Sequence, residues 1–212
     1  MTATEAAANP LDTKARILNA AEKLFGLNGF DATSLRDITA EAQVNLAAVN
    51  YHFQSKDSLI DAIIERRLGP VNRRRLAMLD AAGPSPDVEQ IVSAFLSPLL
   101  MMDVLTAGPF VGRIFSNPSM FIERVYKKHL VDVVKRFKEA IGAAFPDLPA
   151  EDCFWRLQFM AGSMSHMLAL SGVMSYMSGK PFDRNAVMAR LVPFLAAGLR
   201  APATISPISE EH

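Results

Sequence analysis

The stretch TSLRDITAEAQVNLAAVNYHFQSK, residues 33–56, decides the fold because it places two short helical segments around a tight turn. Thr33 can cap the first segment. Gln43, Val44 and Asn45 make the turn, and Asn45 is a good cap for the segment that follows it. This second segment, LAAVNYHF, is too short to be a stable helix in isolation, so it must be stabilised by packing on its neighbours.

The second segment has two different faces. Val44, Val49 and Phe53 fall on one side, and we expect them to pack on the first helix of the chain, within DTKARILNAAEKLFGLNGF. The side chains that point away are Leu46, Ala47, Asn50 and Tyr51. Such types suit DNA, because Leu and Ala can touch a thymine methyl group and Asn can bond adenine N6 and N7 together. Donors for phosphates come from Thr33, Ser34, Asn45, Tyr51, His52 and Lys56.

The overall charge and composition do not indicate which kind of molecule the protein binds. The 22 basic and 22 acidic residues give zero net charge, and the ten Lys and Arg of residues 1–80 are balanced by ten Asp and Glu. Any two short helices with a capped turn can show the pattern above, so an ordinary helical domain stays an alternative at this point. The single cysteine, Cys153, is expected to be a packing residue, and its isolation fits a reducing cytoplasm.

Helix signals recur along the whole chain and strand signals are nearly absent, which predicts an all-α protein of about nine helices. The later helices are predicted to open at Ser85-Pro86-Asp87 and Asn117-Pro118, to include a short one at 109–115, and to end with helices over 149–179 and 183–199. We expect disordered tails at 1–10 and 202–212, a helix-turn-helix domain at 11–54, a connecting helix at 55–80 broken at Gly69-Pro70, and a ligand-binding and dimerisation domain at 81–201.

Two other classes of protein are disfavoured. The stretch from Arg156 to Lys180 has the length to span a bilayer, but its many polar side chains favour a buried helix of a soluble dimer. An enzyme is disfavoured because the chain has no His/Glu pair at metal spacing, no G-x-S-x-G and no Gly-rich phosphate loop. We expect no cofactor, no metal ion and no membrane partner.

The block ILNAAEKLFGLNGFDATSLRDITAEAQVNLAAVNYHFQSKDSLIDAII resembles the N-terminal domain of the TetR family of bacterial repressors. The resemblance implies a two-fold dimer reading a pseudo-palindromic operator, with half-sites about 34–36 Å apart. It also implies phosphate contacts at Thr33 and Ser34, a place near the groove edge for Arg36, and a recognition helix from Asn45 to His52. Lys56 matches the DNA-binding lysine at the start of the fourth helix. The chain departs from the family pattern in having Gln43 in the turn and Asn50 in the recognition helix.

The later part of the chain is rich in Met and Phe, and six of the eleven methionines lie between residues 160 and 188. From spacing alone these side chains fit an ordinary core. Motifs such as FWRLQFMAG and LVPFLAAGLR resemble the PsrA-type branch, which implies a long-chain fatty acid or acyl effector and control of lipid metabolism. The expected ligand-binding residues are Phe95, Leu99, Met102, Phe110, Arg113, Ile114, Phe159, Ser163, His166, Met167 and Met174.

For two of these residues the sequence also allows a role other than ligand binding. Arg113 is the expected carboxylate anchor, but it also fits a surface position or an ion pair. His166 fits a core or dimer-interface histidine better than a ligand contact. The last two helices are expected to pair with their two-fold mates through Ala161, Gly162, Ala169, Ala196, Ala197 and Gly198.

We expect the effector to release the operator through a hinge at Gly69-Pro70. Rival interpretations are a regulator of efflux or stress genes with another apolar ligand, a regulator without a ligand, and a helical lipid carrier.

Overall fold

The computed structural model describes residues 10–101 and 123–203, and within these ranges every regular element is helical. The helices are α1 (Pro10–Asn28), α2 (Leu35–Ala42), α3 (Leu46–Phe53), α4 (Lys56–Ala81), α5 (Val88–Leu100), a π-helical turn (Tyr126–Leu130), α6 (Val131–Ala144), α7 (Ala150–Ala169), α8 (Ser171–Ser178) and α9 (Arg184–Arg200). The all-α prediction is therefore confirmed. The predicted helix at 109–115, the opening at Asn117-Pro118 and nearly all of both tails lie outside the described residues, although Pro10 already belongs to α1.

The chain divides into two compact units, residues 1–68 and 69–212. In the first unit, α1, α2 and α3 contact one another. Their buried side chains form one apolar core, to which the start of α4 adds Leu59 and Ile63. The residues that α1, α2 and α3 contribute to this core are Ile17, Ala21, Phe25, Ile38, Val49 and Phe53. The predicted inward face of the recognition segment is thus buried at Val49 and Phe53, while Val44 is half-buried.

Helix α2 begins with a capping box. The Ser34 hydroxyl accepts a hydrogen bond from the Asp37 backbone N–H (3.2 Å), and the Ser34 backbone N–H donates to the Asp37 carboxylate (2.8 Å). Hydrogen bonds from Ser34 hold the pKa of Asp37 below its ordinary value. The predicted cap at Thr33 was therefore wrong by one residue, because Thr33 is turned into the core instead.

The turn between α2 and α3 is strained at Gln43. This residue closes α2 in the left-handed region, with φ 52° and ψ 49°, a conformation that favours glycine. From α1, the Arg16 guanidinium donates to the carbonyl oxygens of Ala42 (2.6 Å) and Gln43 (2.8 Å). A second positive φ, 64°, occurs at Gln54 between α3 and α4. The recognition helix is therefore bounded at both ends by strained, non-glycine residues.

Helix α4 continues through Gly69-Pro70, so the predicted break is absent. A proline inside a helix removes one backbone donor, here the one that would bond the carbonyl of Arg66, and the remaining bonds of α4 are sufficient to maintain the helix. In the first unit, the buried carboxylate of Glu22 on α1 accepts hydrogen bonds from both Arg66 and Arg67 of α4. These ion pairs fasten the first part of α4 to α1.

The second unit packs α5 at its centre. Phe95 of α5 and Phe137 of α6 meet edge to face at 5.1 Å between ring centroids, and α5 also contacts α7 and α9. The end of α9 is held by Arg156, whose guanidinium donates to the Leu199 (2.6 Å) and Pro202 (3.2 Å) carbonyls and lies 3.6 Å from Asp152. Buried Arg156 thus satisfies the C-terminal carbonyls that a helix leaves unpaired.

Two predicted boundaries in this unit were wrong. Asp87, and not Ser85-Pro86, caps α5, because its carboxylate and the Gln90 side chain form a capping box. The predicted single helix over 149–179 is divided at Leu170, where the Ser171 hydroxyl donates a hydrogen bond to the Leu168 carbonyl oxygen (2.8 Å).

Within the described ranges, no helix combines the length and apolar character that crossing a bilayer requires.

Candidate functional site

The outward face of α3 is exposed as a continuous strip. Leu46, Ala47, Asn50 and Tyr51 are all exposed, with Tyr51 at 82% of its full accessibility. The Tyr51 ring meets the His52 ring edge to face at 5.1 Å between centroids. Because Val49 and Phe53 anchor the opposite face, this strip is held in place and projects apolar and amide groups into solvent. It has the residue types and the geometry of a helix that enters a DNA groove.

Donor groups surround this strip. The Asn45 side chain accepts a hydrogen bond from the Ala48 backbone N–H (2.8 Å), so its carbonyl oxygen caps α3 and its amide nitrogen is left to donate. Arg36 on α2 is exposed, and His52 and Lys56 are half-buried. Ser34 is exposed, but its hydroxyl donates to Asp37 (2.7 Å) and so already has a partner. The cations and amides at this end of the first unit can therefore reach phosphates around the strip.

Thr33 is a correction to the predicted site. Its side chain is fully buried, and its hydroxyl donates to the carbonyl oxygens of Gly29 (2.9 Å) and Leu24 (3.3 Å). Thr33 therefore ties the start of α2 to the end of α1 and cannot contact a phosphate directly. The sequence predicted a phosphate contact for both Thr33 and Ser34, because both carry a hydroxyl, but only Ser34 is exposed.

The seven predicted ligand-binding residues that the structure describes lie in different surroundings. Phe95 and Leu99 are buried in α5, where Phe95 packs on Phe137. Phe159 and His166 are exposed on α7, and Ser163 is half-buried. Met167 and Met174 line a separate groove, and the remaining four predicted residues, Met102, Phe110, Arg113 and Ile114, lie outside the described residues. The methionine and phenylalanine pattern identified apolar positions but not the surface that each one faces.

The groove lies between the end of α7, α8 and α9 and has a volume of about 580 Å³. Its walls are mostly apolar, and its polar edge carries Lys180, Asp183 and Arg190. The apolar side chains that line it are Met167, Met174, Pro181, Phe182, Ala186, Val187, Leu191 and Phe194. Phe194 is 70% exposed, so the groove is open to solvent in the single chain.

Helix α7 exposes an unusual strip of side chains. At helical spacing from Glu151 onward, the exposed positions are Trp155, Phe159, Gly162, His166 and Ala169. Trp155 and Phe159 stack at 6.3 Å between centroids, and Phe159 is 63% exposed. A solvent-facing helix strip normally carries charged residues, so this strip, together with the groove, is an apolar surface left uncovered in the single chain. We call the two together the α7–α9 surface.

Sequence reasoning missed two arginines. Arg16 holds the turn before the recognition helix, as described above, and Arg75 of α4 is buried in the second unit. The sequence held a signal for Arg75, because Leu68, Val71, Asn72, Arg75 and Leu79 recur at helical spacing. All five residues are buried in the structure.

Among residues 10–101 and 123–203, no three His, Cys, Asp or Glu side chains are grouped to hold a metal ion.

The two units define a helix-turn-helix DNA-binding regulator with a separate helical domain. Residues 17–63 match the family described as "Bacterial regulatory proteins, tetR family", and residues 93–198 match "Tetracyclin repressor-like, C-terminal domain". The chain belongs to the tetR family of ligand-responsive transcriptional regulators, which bind DNA operators and are not enzymes.

Named relatives agree with this assignment. The chain is 31% identical over 147 residues to the HTH-type transcriptional regulator UidR of Escherichia coli (strain K12), covering 64% of this chain and 71% of that protein. It is 34% identical over 131 residues to the HTH-type transcriptional repressor Rv3405c of Mycobacterium tuberculosis (strain H37Rv), covering 61% and 67%. The solved structure of the fatty acid degradation regulator FadR from Bacillus halodurans has the same fold, with a TM-score of 0.65, 16% identity, and coverage of 90% and 97%.

Proposed function

We propose that this protein is a dimeric repressor that reads a pseudo-palindromic operator with α3 and is released by an apolar effector, a long-chain fatty acid or an acyl derivative, so that it controls genes of lipid metabolism. One observation carries the DNA-reading part of the proposal. The α3 strip is exposed at Leu46, Ala47, Asn50 and Tyr51, while Val49 and Phe53 fix its other face in the core.

The reading role separates into base contacts and phosphate contacts. We assign base contacts to Leu46, Ala47 and Asn50, and phosphate contacts to Arg36, Lys56 and their neighbours. The probe is duplex DNA from the upstream region of the protein's own gene, with a scrambled duplex as reference, and binding is followed by fluorescence anisotropy across a salt series.

The variants then separate the two kinds of contact. Asn50→Ala should weaken specific binding by roughly 10- to 100-fold and leave binding to the scrambled duplex unchanged. Arg36→Gln should weaken both and lower the salt slope by about one. Lys135→Gln is the control, since Lys135 is an exposed cation of α6 in the second unit and lies outside the α7–α9 surface. If Asn50→Ala left specific binding unaltered, the assignment of base contacts would be wrong.

We propose the α7–α9 surface as the dimer interface, since its aromatic and small side chains would otherwise stay in water. Gly162, Ala169, Ala197 and Gly198 are exposed as this role requires, whereas Ala196 is buried within its own chain and drops out of the predicted set. A Cβ added at Gly162 or at Gly142 of α6 meets nothing within 4 Å, so both glycines can be enlarged in the single chain.

Those two glycines make a matched pair. Gly162→Leu should yield a helical but monomeric protein in sedimentation experiments, because the new side chain keeps a partner helix away. Gly142→Leu should stay dimeric with similar helix content. Dimers of equal stability from both variants would move the interface to another surface.

The lipid effector rests on the resemblance to the PsrA-type branch and on the apolar character of the second unit. The likeness to the FadR structure supports the fold alone. Mass spectrometry of the small molecules released when the purified protein is denatured tests the effector class directly. In a separate binding experiment, added oleate should release the operator duplex. A release by other apolar compounds but not by oleate would favour the alternative, a regulator of efflux or stress genes.

Transmission is proposed to use the helix interior at Gly69-Pro70. The boundary between the two compact units falls just before Gly69, and Pro70 leaves one carbonyl of α4 without its helical donor. A 100-fold release of operator requires the effector to prefer the released state by about 2.7 kcal/mol. Pro70→Ala should stiffen α4 and reduce the release by oleate without changing effector affinity in the absence of DNA.

A further inference from the structure

Arg75 is a buried cation to which the proposed function assigns no role. It lies on the inward face of α4 in the second unit, where only 4% of the residue is accessible. Burial lowers the pKa of its guanidinium to about 10, which still leaves the group charged at neutral pH. A full positive charge is therefore enclosed within the helical domain.

The groups that contact this charge are neutral. Its Nε donates to the Phe95 carbonyl (2.8 Å), one terminal nitrogen lies 3.3 Å from the Asn72 side-chain oxygen, and the other lies 3.5 Å from the Met164 sulfur. The guanidinium also stacks on the Phe95 ring, 4.3 Å from its centroid. Among the parts of the chain that the structure describes, no carboxylate lies within ion-pair distance of Arg75.

Arg156 is a useful comparison within the same unit. It is also buried, but it has Asp152 at 3.6 Å and closes the end of α9 with two backbone carbonyls. Arg156 is therefore explained by the structure of the chain itself. Among the described residues Arg75 has no such counter-ion, and a buried charge without one is strongly unfavourable unless something else neutralises it.

We propose that Arg75 is the counter-ion for the carboxylate of the effector, so that the effector is recognised as an acid and not merely as an apolar molecule. This inference rests on the proposed lipid effector and deepens it. A guanidinium can pair with a carboxylate through two parallel hydrogen bonds. The weakest contact of Arg75 is with the thioether of Met164, a flexible side chain that a stronger acceptor can displace. Phe95 and Met164 provide apolar contacts beside the charge, and Phe95 was among the predicted ligand residues.

The test compares two probes of equal chain length, oleate and oleyl alcohol, which differ only in the charged head. Dissociation constants are measured by displacement of a fluorescent fatty-acid analogue from the full-length protein. The wild type should bind oleate roughly 10- to 100-fold more tightly than oleyl alcohol, the range expected for a buried, charge-assisted pair. Arg75→Met should bind both probes equally, because oleate alone loses affinity.

Arg74→Met is the matched control, since Arg74 is the exposed neighbour of Arg75 on α4. It should keep the full preference for oleate. A preference that persisted in Arg75→Met, or vanished in Arg74→Met, would overturn the assignment. If Arg75→Met did not fold, Arg75→Lys would decide, because a lysine keeps the charge but loses the two-bond geometry, and its preference for oleate should fall at least about threefold.

The two levels of the proposal fail differently. Equal binding of the two probes by the wild type would overturn the role of Arg75 but leave a lipid effector in place. Binding of neither probe by the wild type would overturn the lipid effector itself, and the role of Arg75 with it.

Discussion

The strained turn before the recognition helix offers the sharpest test of the structure. Gln43 occupies the left-handed region with φ 52° and ψ 49°, and its side chain is exposed. The hydrogen bonds that hold the turn use its backbone, namely its N–H to the Ala40 carbonyl (3.2 Å) and its carbonyl to Arg16 (2.8 Å). A glycine at this position would keep those bonds and lose the clash of the Cβ.

The magnitude follows from two opposing effects. Removing the Cβ clash of a left-handed residue gains about 1–2 kcal/mol. The greater freedom of glycine in the unfolded chain costs about 0.4–1 kcal/mol. Gln43→Gly should therefore raise the free energy of unfolding by roughly 0.5–1 kcal/mol, and the Tm by about 2–4 °C for each kcal/mol gained.

Urea denaturation measures this change, with the midpoint expected to rise at constant slope. Gln43→Ala is the control, because alanine keeps the Cβ and should stay within about 0.5 kcal/mol of the wild type. A β-branched residue, as in Gln43→Val, should be less stable than either. The reasoning would be refuted by a Gln43→Gly protein less stable than Gln43→Ala.

Three further changes test the packing of the two units. Because hydrogen bonds lower the pKa of Asp37 below its ordinary 3.8, the stabilising effect of the α2 cap is present above that pH and is lost as the pH falls through the lowered pKa. Thermal melts of wild type and Asp37→Asn should therefore differ at pH 7 and converge in acid. Glu22→Gln should lower the free energy of unfolding by about 3 kcal/mol in urea melts, since it leaves Arg66 and Arg67 without their shared carboxylate. Burial raises the pKa of the Cys153 thiol, so a thiol reagent should modify it only after denaturation, and rapid labelling of the native protein would contradict this.

Much of the first unit could be predicted because its signals are local. Helical spacing placed Val49 and Phe53 inward and Leu46, Ala47, Asn50 and Tyr51 outward, and the structure has the same arrangement. Asn45 caps α3 as its residue type indicated. Caps and periodicity depend on residues three or four positions apart, which the sequence displays directly.

The second unit was harder because apolar residues look alike in a sequence. Phe95, Phe159 and Met167 were assigned to one pocket, yet they lie in the core, on the outer strip of α7 and in the groove. The helix that each residue occupies was predictable. The neighbour that each side chain meets depends on how helices distant in sequence pack together.

The sequence by itself determined the all-helical class, the helix-turn-helix and the two faces of its recognition helix, because hydrophobic periodicity and caps act within a few residues. Only the tertiary structure decided between residues of like chemistry. It buried Thr33 but exposed Ser34, and in the run Arg73-Arg74-Arg75 it enclosed only the last. The physical reason is that burial and the choice of partner are properties of packed helices, which give adjacent identical side chains different surroundings.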